Sequence, residues 1–302
     1  MSTTDPDADT GTLSADKAFA LVGHEIRVAI LRAVMDAAKE SGDPYAPVSF
    51  SELRDRVGTR DSGQFNYHLG KLVGPFLERD GEGYRMRYTT LLVVGAILAG
   101  TYTERGDADP VAVDTPCPVC DGVVAGTYEA ERGEVACTDC GEVFCSAAVP
   151  PGALEGYDPA DYPEVFLRWT SRLMGEMRSG FCLACTGPVS PRIAVAAPSE
   201  EGNADGGSPD VAVHYECERC PEAAHTSLGA ALFDHPAVVA FHWDHGVDTR
   251  ETDTLALAWL YDDHARVVSE DPLRVECRVE LDDETLTLTI DESLDVLDVV
   301  RS

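Results

Sequence analysis

The chain of 302 residues carries 54 acidic and 23 basic residues, a net charge of −31, yet 44% of it is hydrophobic. That length allows two or three domains with cores of their own, and the hydrophobic share excludes a disordered acidic chain. The longest apolar run, Leu91–Gly100, is ten residues, about half of what a membrane span needs.

The opening segment, MSTTDPDADTGT, has neither a basic nor an apolar stretch. No secretory signal is expected from it, and the cytoplasm is the expected location. Only three residues are Lys, and thirty of the acidic ones are Asp. A folded, acidic, lysine-poor chain points to a salt-loaded cytoplasm, where carboxylates hold a hydrated, cation-rich shell. The charge is uneven. Residues 1–105 hold 12 basic and 15 acidic residues, whereas residues 106–302 hold 11 and 39. Residues 48–105 alone hold 8 and 7, so a polyanion is expected to dock there.

Residues 1–14 are expected to be a disordered acidic tail. Beyond it Phe19, Val22, Ile26, Ile30, Val34 and Ala37 recur at helical spacing, with Gly23 dividing a short helix from a longer one. After SGDPYAP, the segment SFSELRDRVG offers Ser49 or Ser51 as a cap and ends at Gly58. The turn TRDSG leads into QFNYHLGKL, a helix with Phe65, Leu69 and Leu72 inward. Helix, short turn and helix make the helix-turn-helix shape. FLERDGEGYRMR reads as a hairpin with its tip at residues 80–83, and residues 89–104 as a strongly apolar helix.

This order over residues 15–105 resembles the ArsR-type winged helix-turn-helix. The motifs that carry the resemblance are FALVGHEIRVAILRAV and SGQFNYHLGKL. It implies binding to double-stranded DNA as a homodimer, with helix 89–104 as the dimer helix; the apolar surface of that helix exceeds what one small domain buries. The recognition helix would lie in the major groove, where base edges are distinguishable. Its exposed face would hold Ser62, Gln64, Asn66, Tyr67 and Lys71. His68, of the family's HL pair, is counted with them and either faces the groove or braces the turn. Arg79, Arg85 and Arg87 in the wing are expected at phosphates or the minor groove.

Four CxxC pairs follow. Cys117 and Cys120 stand sixteen residues before Cys137 and Cys140, a spacing that suits a four-cysteine zinc site. Each pair presents two thiolates from one tight knuckle, and two knuckles complete a tetrahedron. The segment between them reads as a hairpin turning at residues 131–133, so residues 112–148 are an expected zinc ribbon. Cys182 and Cys185 stand thirty-one residues before Cys217 and Cys220. There the polar loop APSEEGNADGGSPD enlarges the tip of a second ribbon, residues 181–225, with strands PRIAVA and DVAVHYE. Two structural zinc ions are the expected cofactors. Cys145 and Cys277 lack a partner motif and are expected to be buried small hydrophobes.

Residues 149–180 hold a connecting helix in PADYPEVFLRWTSRLMGEMRSG. Residues 226–302 read as a small α+β unit: HPAVVAFHWDHG as a strand entering a turn, TDTLALAWLY as a short helix, and LRVECRVELDDETLTLTIDESLDVLDVV as three strands with a turn at residues 282–283. His235, His242 and His245 lie close together, with polar surface and turns as their expected setting. HPAVVAFHWDHG and DPLRVECRVELDDETLTLTIDESL are similar to segments that follow ArsR-type domains in many regulators of halophilic archaea. The expected class is therefore α+β multidomain: a winged helix, two zinc ribbons and a C-terminal unit that senses a ligand or binds a partner.

No GxSxG, Walker, HExxH or dinucleotide fingerprint occurs, so no enzyme is expected. The favoured reading is a dimeric, site-specific transcription regulator. A basal factor that meets RNA polymerase through winged helix and ribbon is a second reading. A thiol- or metal-responsive sensor is a third, although no cysteine precedes Cys117. A protein-binding scaffold without DNA contact is a fourth.

Overall fold

The computed structural model describes residues 13–81, 83–102, 106–196, 210–261 and 265–302. These form eight α-helices and four antiparallel sheets, an α+β architecture. Contacts divide the chain into two units: Met1–Glu104 with Pro150–Ala153, and Arg105–Val149 with Leu154–Ser302. No helix among the described residues is long and apolar enough to cross a membrane. Residues 1–12 of the expected acidic tail, residue 82 at the hairpin tip and most of the loop 197–210 lie outside the described residues.

The first unit opens with α1 (Ala15–Val22) and α2 (Glu25–Ser41). His24 separates them and caps α2, its Nδ1 accepting from the Ile26 amide at 3.2 Å. Strand β1 (Val48–Ser49) leads into α3 (Phe50–Val57). Ser49 is the cap, accepting from the Glu52 amide, and Gly58 ends the helix at φ +71°. Helix α4 (Ser62–Leu72) starts at Asp61, whose carboxylate accepts from the Gly63 and Gln64 amides. Phe65, Leu69 and Leu72 of α4 are buried with Ile30, Leu31 and Val34 of α2, which fixes the face that α4 leaves to solvent.

Strands β2 (Leu77–Asp80) and β3 (Gly83–Met86) form the expected hairpin. The sheet gains a third strand that the sequence did not announce, since β1 pairs with β3 through Val48 and Tyr84. Helix α5 (Tyr88–Leu98) is anchored where Thr89 and Thr90 donate to the Pro75 and Phe76 carbonyls at 2.6 and 2.5 Å. It is shorter than the expected 89–104. Gly100, at φ +72°, turns the chain out of the helix, and residues 103–104 lie outside the described part.

In the second unit β4 (Ala108–Val113), β5 (Val124–Glu129), β6 (Arg132–Cys137) and β7 (Val143–Ala148) form one sheet in that order. The β5–β6 turn sits at Ala130 and Glu131, not at residues 131–133. Both have positive φ, 50° and 59°, so two residues suffice for a turn whose twist matches the strands. Helix α6 (Tyr162–Arg178) lies close on this sheet. A Cβ at Gly133 would come within 2.6 Å of the Phe166 ring, so glycine permits the approach.

Strands β8 (Val189–Ala196), β9 (Asp210–Cys217) and β10 (Ala223–Ser227) make a second sheet, ordered β10-β9-β8. Next come α7 (Leu228–Leu232) and α8 (Pro236–Asp244). The expected strand in HPAVVAFHWDHG is this helix α8. His235 caps it by accepting from the Ala237 amide, Pro236 fills its first turn, and burial of Val238, Phe241 and His242 outweighs the β-branched preference for strand. TDTLALAWLY forms two 3-10 turns. Strands β11 (Ala265–Glu270), β12 (Leu273–Leu281), β13 (Glu284–Asp291) and β14 (Val296–Arg301) close the chain as a meander. β11 adds a strand to those expected here, paired with β12. One core joins Val213 and Tyr215 of β9 to Phe241 of α8 and to Val275, Val279, Leu288 and Ile290 of the last sheet.

Candidate metal centres and nucleic-acid interface

The eight knuckle cysteines gather into two groups. Cys117, Cys120, Cys137 and Cys140 form one, and Cys182, Cys185, Cys217 and Cys220 the other, with the sulfurs of each group within 4.8 Å of one another. All ten cysteines are free thiols. In the first group Cys117 and Cys140 sulfurs are 3.8 Å apart and those of Cys120 and Cys137 3.6 Å. In the second, Cys182 to Cys220 is 3.6 Å and Cys185 to Cys217 3.5 Å. A tetrahedron of thiolates with metal–sulfur bonds of about 2.3 Å has edges of about 3.8 Å, so both groups can hold a metal ion.

One backbone pattern builds both groups. The amide of Cys117 donates to the Gly122 carbonyl and that of Cys182 to the Gly187 carbonyl, each at 2.9 Å. Cys137 donates to the Glu142 carbonyl at 2.8 Å and Cys217 to the Glu222 carbonyl at 3.0 Å. Asp121 and Thr186, the residues before those glycines, share positive φ of 59° and 53°. The sequence carries this as a repeated C-x-x-C-x-G and C-x-x-C-x-E. The repeat alone does not reveal that the two glycines and two glutamates close the knuckles.

In the second knuckle of each group backbone amides lower one thiol. Cys137 is lowered to about 7, first by the Cys140 amide and then by that of Asp139. Cys217 is lowered to about 6, first by the Arg219 amide and then by that of Cys220. At Cys120 the Gly122 amide pulls down, but the Cys140 sulfur, burial and the Cys137 and Cys117 sulfurs together push the thiol up to about 12. A bound cation would remove that mutual repulsion. Cys145 and Cys277 are buried outside both groups, and burial raises them to about 11 and about 12.

On α4, Ser62, Gln64, Asn66, Tyr67 and Lys71 share the exposed side. Tyr67 is 62% exposed, with the Lys71 ammonium 5.5 Å from its ring centre. His68 does not stand with them. It is buried, its ring 4.1 Å from that of His24, so it braces the packing of α4 on α2. Burial first, then His24 and Arg27, hold it below its ordinary value. The hairpin arginines are engaged to different degrees. Arg85 pairs with Glu78 and Asp80, both at 3.1 Å, and Arg87 donates to the Gly74 carbonyl at 2.6 Å. Arg79 lies over the Tyr84 ring.

The three C-terminal histidines do not converge. His242 is fully buried, with Nδ1 on the Val238 carbonyl and Nε2 accepting from the Trp259 indole. His245 bonds the Phe241 carbonyl, and His235 is a cap. His242 is a buried helix residue rather than polar surface, whereas His235 and His245 flank α8, the second in the turn that follows it.

Residues 114–296, more than half of the chain, match the family model described as a domain of unknown function, DUF7351. The chain belongs to the DUF7351 family. Ahead of that region, residues 15–97 match a second model, likewise a domain of unknown function, DUF7347. Both cysteine groups fall within the DUF7351 region and α4 within the DUF7347 region. No curated protein matches the chain.

Proposed function

We propose that this DUF7351 protein is a sequence-specific, DNA-binding transcription regulator of the cytoplasm. Its first unit acts as an ArsR-type winged helix-turn-helix. The observation that carries this reading is the broad exposed face of α4. Phe65, Leu69 and Leu72 anchor the helix, which leaves Gln64, Asn66, Tyr67 and Lys71 outward beside a β-hairpin. Amides at positions 64 and 66 suit adenine edges, and Tyr67 suits phosphate or a thymine methyl. That face is nearly uncharged. In molar salt counterion release contributes little, so base contacts must supply most of the affinity.

The reading includes a homodimer through α5. Tyr88, Leu92 and Leu98 are exposed there at 68%, 56% and 58%, in keeping with a helix that needs a partner. It assigns zinc to both cysteine groups, each a closed ribbon of four thiolates with a structural role. The last sheet is the proposed place for a ligand or partner signal.

Selection of bound duplexes from a random pool, in molar potassium chloride, tests the proposal. The expected product is a pseudo-palindrome with half-sites about one helical turn apart. Recovery of no shared sequence would reject it.

A further inference from the structure

We propose that the two cysteine centres, both structural, differ in reactivity: the first gives up its zinc to peroxide, and the second is shielded from it. This rests on the reading that both groups hold zinc.

The shared backbone scaffold places the difference in the surroundings of the sulfurs. In the first centre Cys117 and Cys137 are buried and Cys120 and Cys140 exposed, whereas in the second Cys182 is buried and the other three are half-buried, so only the first offers fully exposed cysteines. All four cysteines of the second centre belong to or pack against the large core around Val213 and Tyr215; none of the first four does. An oxidant or a chelator therefore reaches the first centre without opening that core.

Charge adds to the difference. A zinc ion with four thiolates is net negative. Arg219 brings a guanidinium to the second centre, donating from Nη1 to the Cys185 carbonyl at 3.3 Å. The matching residue of the first centre is Asp139, whose carboxylate accepts from the Val123 amide at 3.2 Å. A nearby cation draws electron density from thiolate sulfur and slows its attack on an electrophile, and a carboxylate does not.

The oxidant is a hydroperoxide. One exposed thiolate, Cys120 or Cys140, attacks an oxygen of hydrogen peroxide; the O–O bond breaks, hydroxide leaves, and the sulfur becomes a sulfenic acid. The other thiolate attacks that sulfur, the S–O bond breaks, a disulfide forms and a second hydroxide leaves. Solvent protons convert both hydroxides to water. Two sulfurs have lost two electrons to peroxide, and zinc leaves as the hydrated ion. The two sulfurs already lie within 4.8 Å of each other.

The test is zinc release from the full-length, zinc-loaded protein, treated with hydrogen peroxide beside a chromophoric chelator. Peptide mass spectrometry maps the oxidised cysteines. One zinc should leave at least about tenfold faster than the other, with the disulfide at Cys120 and Cys140 and the second centre still reduced. Arg219→Asp should speed the slow phase, and Cys120→Ser should remove the fast one. Equal release of two zinc ions, or earlier release from the second centre, overturns this proposal alone. A protein that binds no zinc overturns the underlying reading with it.

Discussion

Asp139 and Arg219 occupy the same position in two copies of one cysteine knuckle, and they carry opposite charges. Their neighbours match as well, since each packs against the glycine that closes the other knuckle of its group, Gly122 or Gly187.

Gly122 is the sharper constraint. A Cβ there would stand 2.4 Å from the Asp139 Oδ2 and 2.8 Å from its Cβ. Gly122→Ala should weaken metal binding at the first centre by about tenfold and leave the second unchanged. Chelator competition measures both. An unaltered first centre would mean that the contact does not shape the knuckle.

Gly133 sets how closely α6 lies on the first sheet of its unit. Gly133→Ala places a methyl 2.6 Å from the Phe166 ring. Overpacking of this kind costs about 1–3 kcal/mol. Urea unfolding should show that loss, and a Phe166→Leu companion should recover part of it. An unchanged midpoint would show that the helix moves away freely.

Tyr215 is buried in the core of the second unit, and its hydroxyl has no hydrogen-bond partner among the described residues. A desolvated, unpaired hydroxyl does not stabilise the fold. Tyr215→Phe should be neutral, or stabilising by up to about 1 kcal/mol, in thermal unfolding. A clear loss of stability would reveal a partner for that oxygen.

His68 links pH to the seating of α4. Its folded value lies below the ordinary 6.5, through burial first and then His24 and Arg27. The unfolded chain therefore takes up a proton at higher pH than the folded chain. The neutral ring costs nothing above the ordinary value, and stability falls as pH drops from there toward the lowered one. NMR titration should place His68 below an unfolded histidine, and His68→Phe should flatten the acid-side slope. An unshifted titration would contradict this account.

Much of the first unit was legible because its helices carry local signals. Ser49, Gly58 and the spacing of Phe65, Leu69 and Leu72 mark α3 and α4 within a few residues. Strand β1 was hidden, because two residues give no periodicity and only their pairing with β3 defines them. Helix α8 was misread for the opposite reason. Its sequence is apolar on every side, so neither helical nor strand periodicity stands out, and the cap at His235 decides. The cysteine groups were legible from spacing, as thiolates must converge from both knuckles to share an ion. The choice between groove and brace for His68 was not, since it depends on His24, forty-four residues away in the chain.

The most direct test of the central reading is genome-wide DNA occupancy of the tagged protein in its native salt, beside a Tyr67→Ala, Lys71→Ala double variant. Both side chains are exposed on α4 and outside the core, so the variant should fold. The account predicts a few sharp peaks that share a palindrome and vanish in the variant. Broad peaks at most promoters, unchanged by the variant, would contradict it and point to a polymerase-associated factor. No enrichment at all would contradict it too, and would make the first unit a protein-binding module.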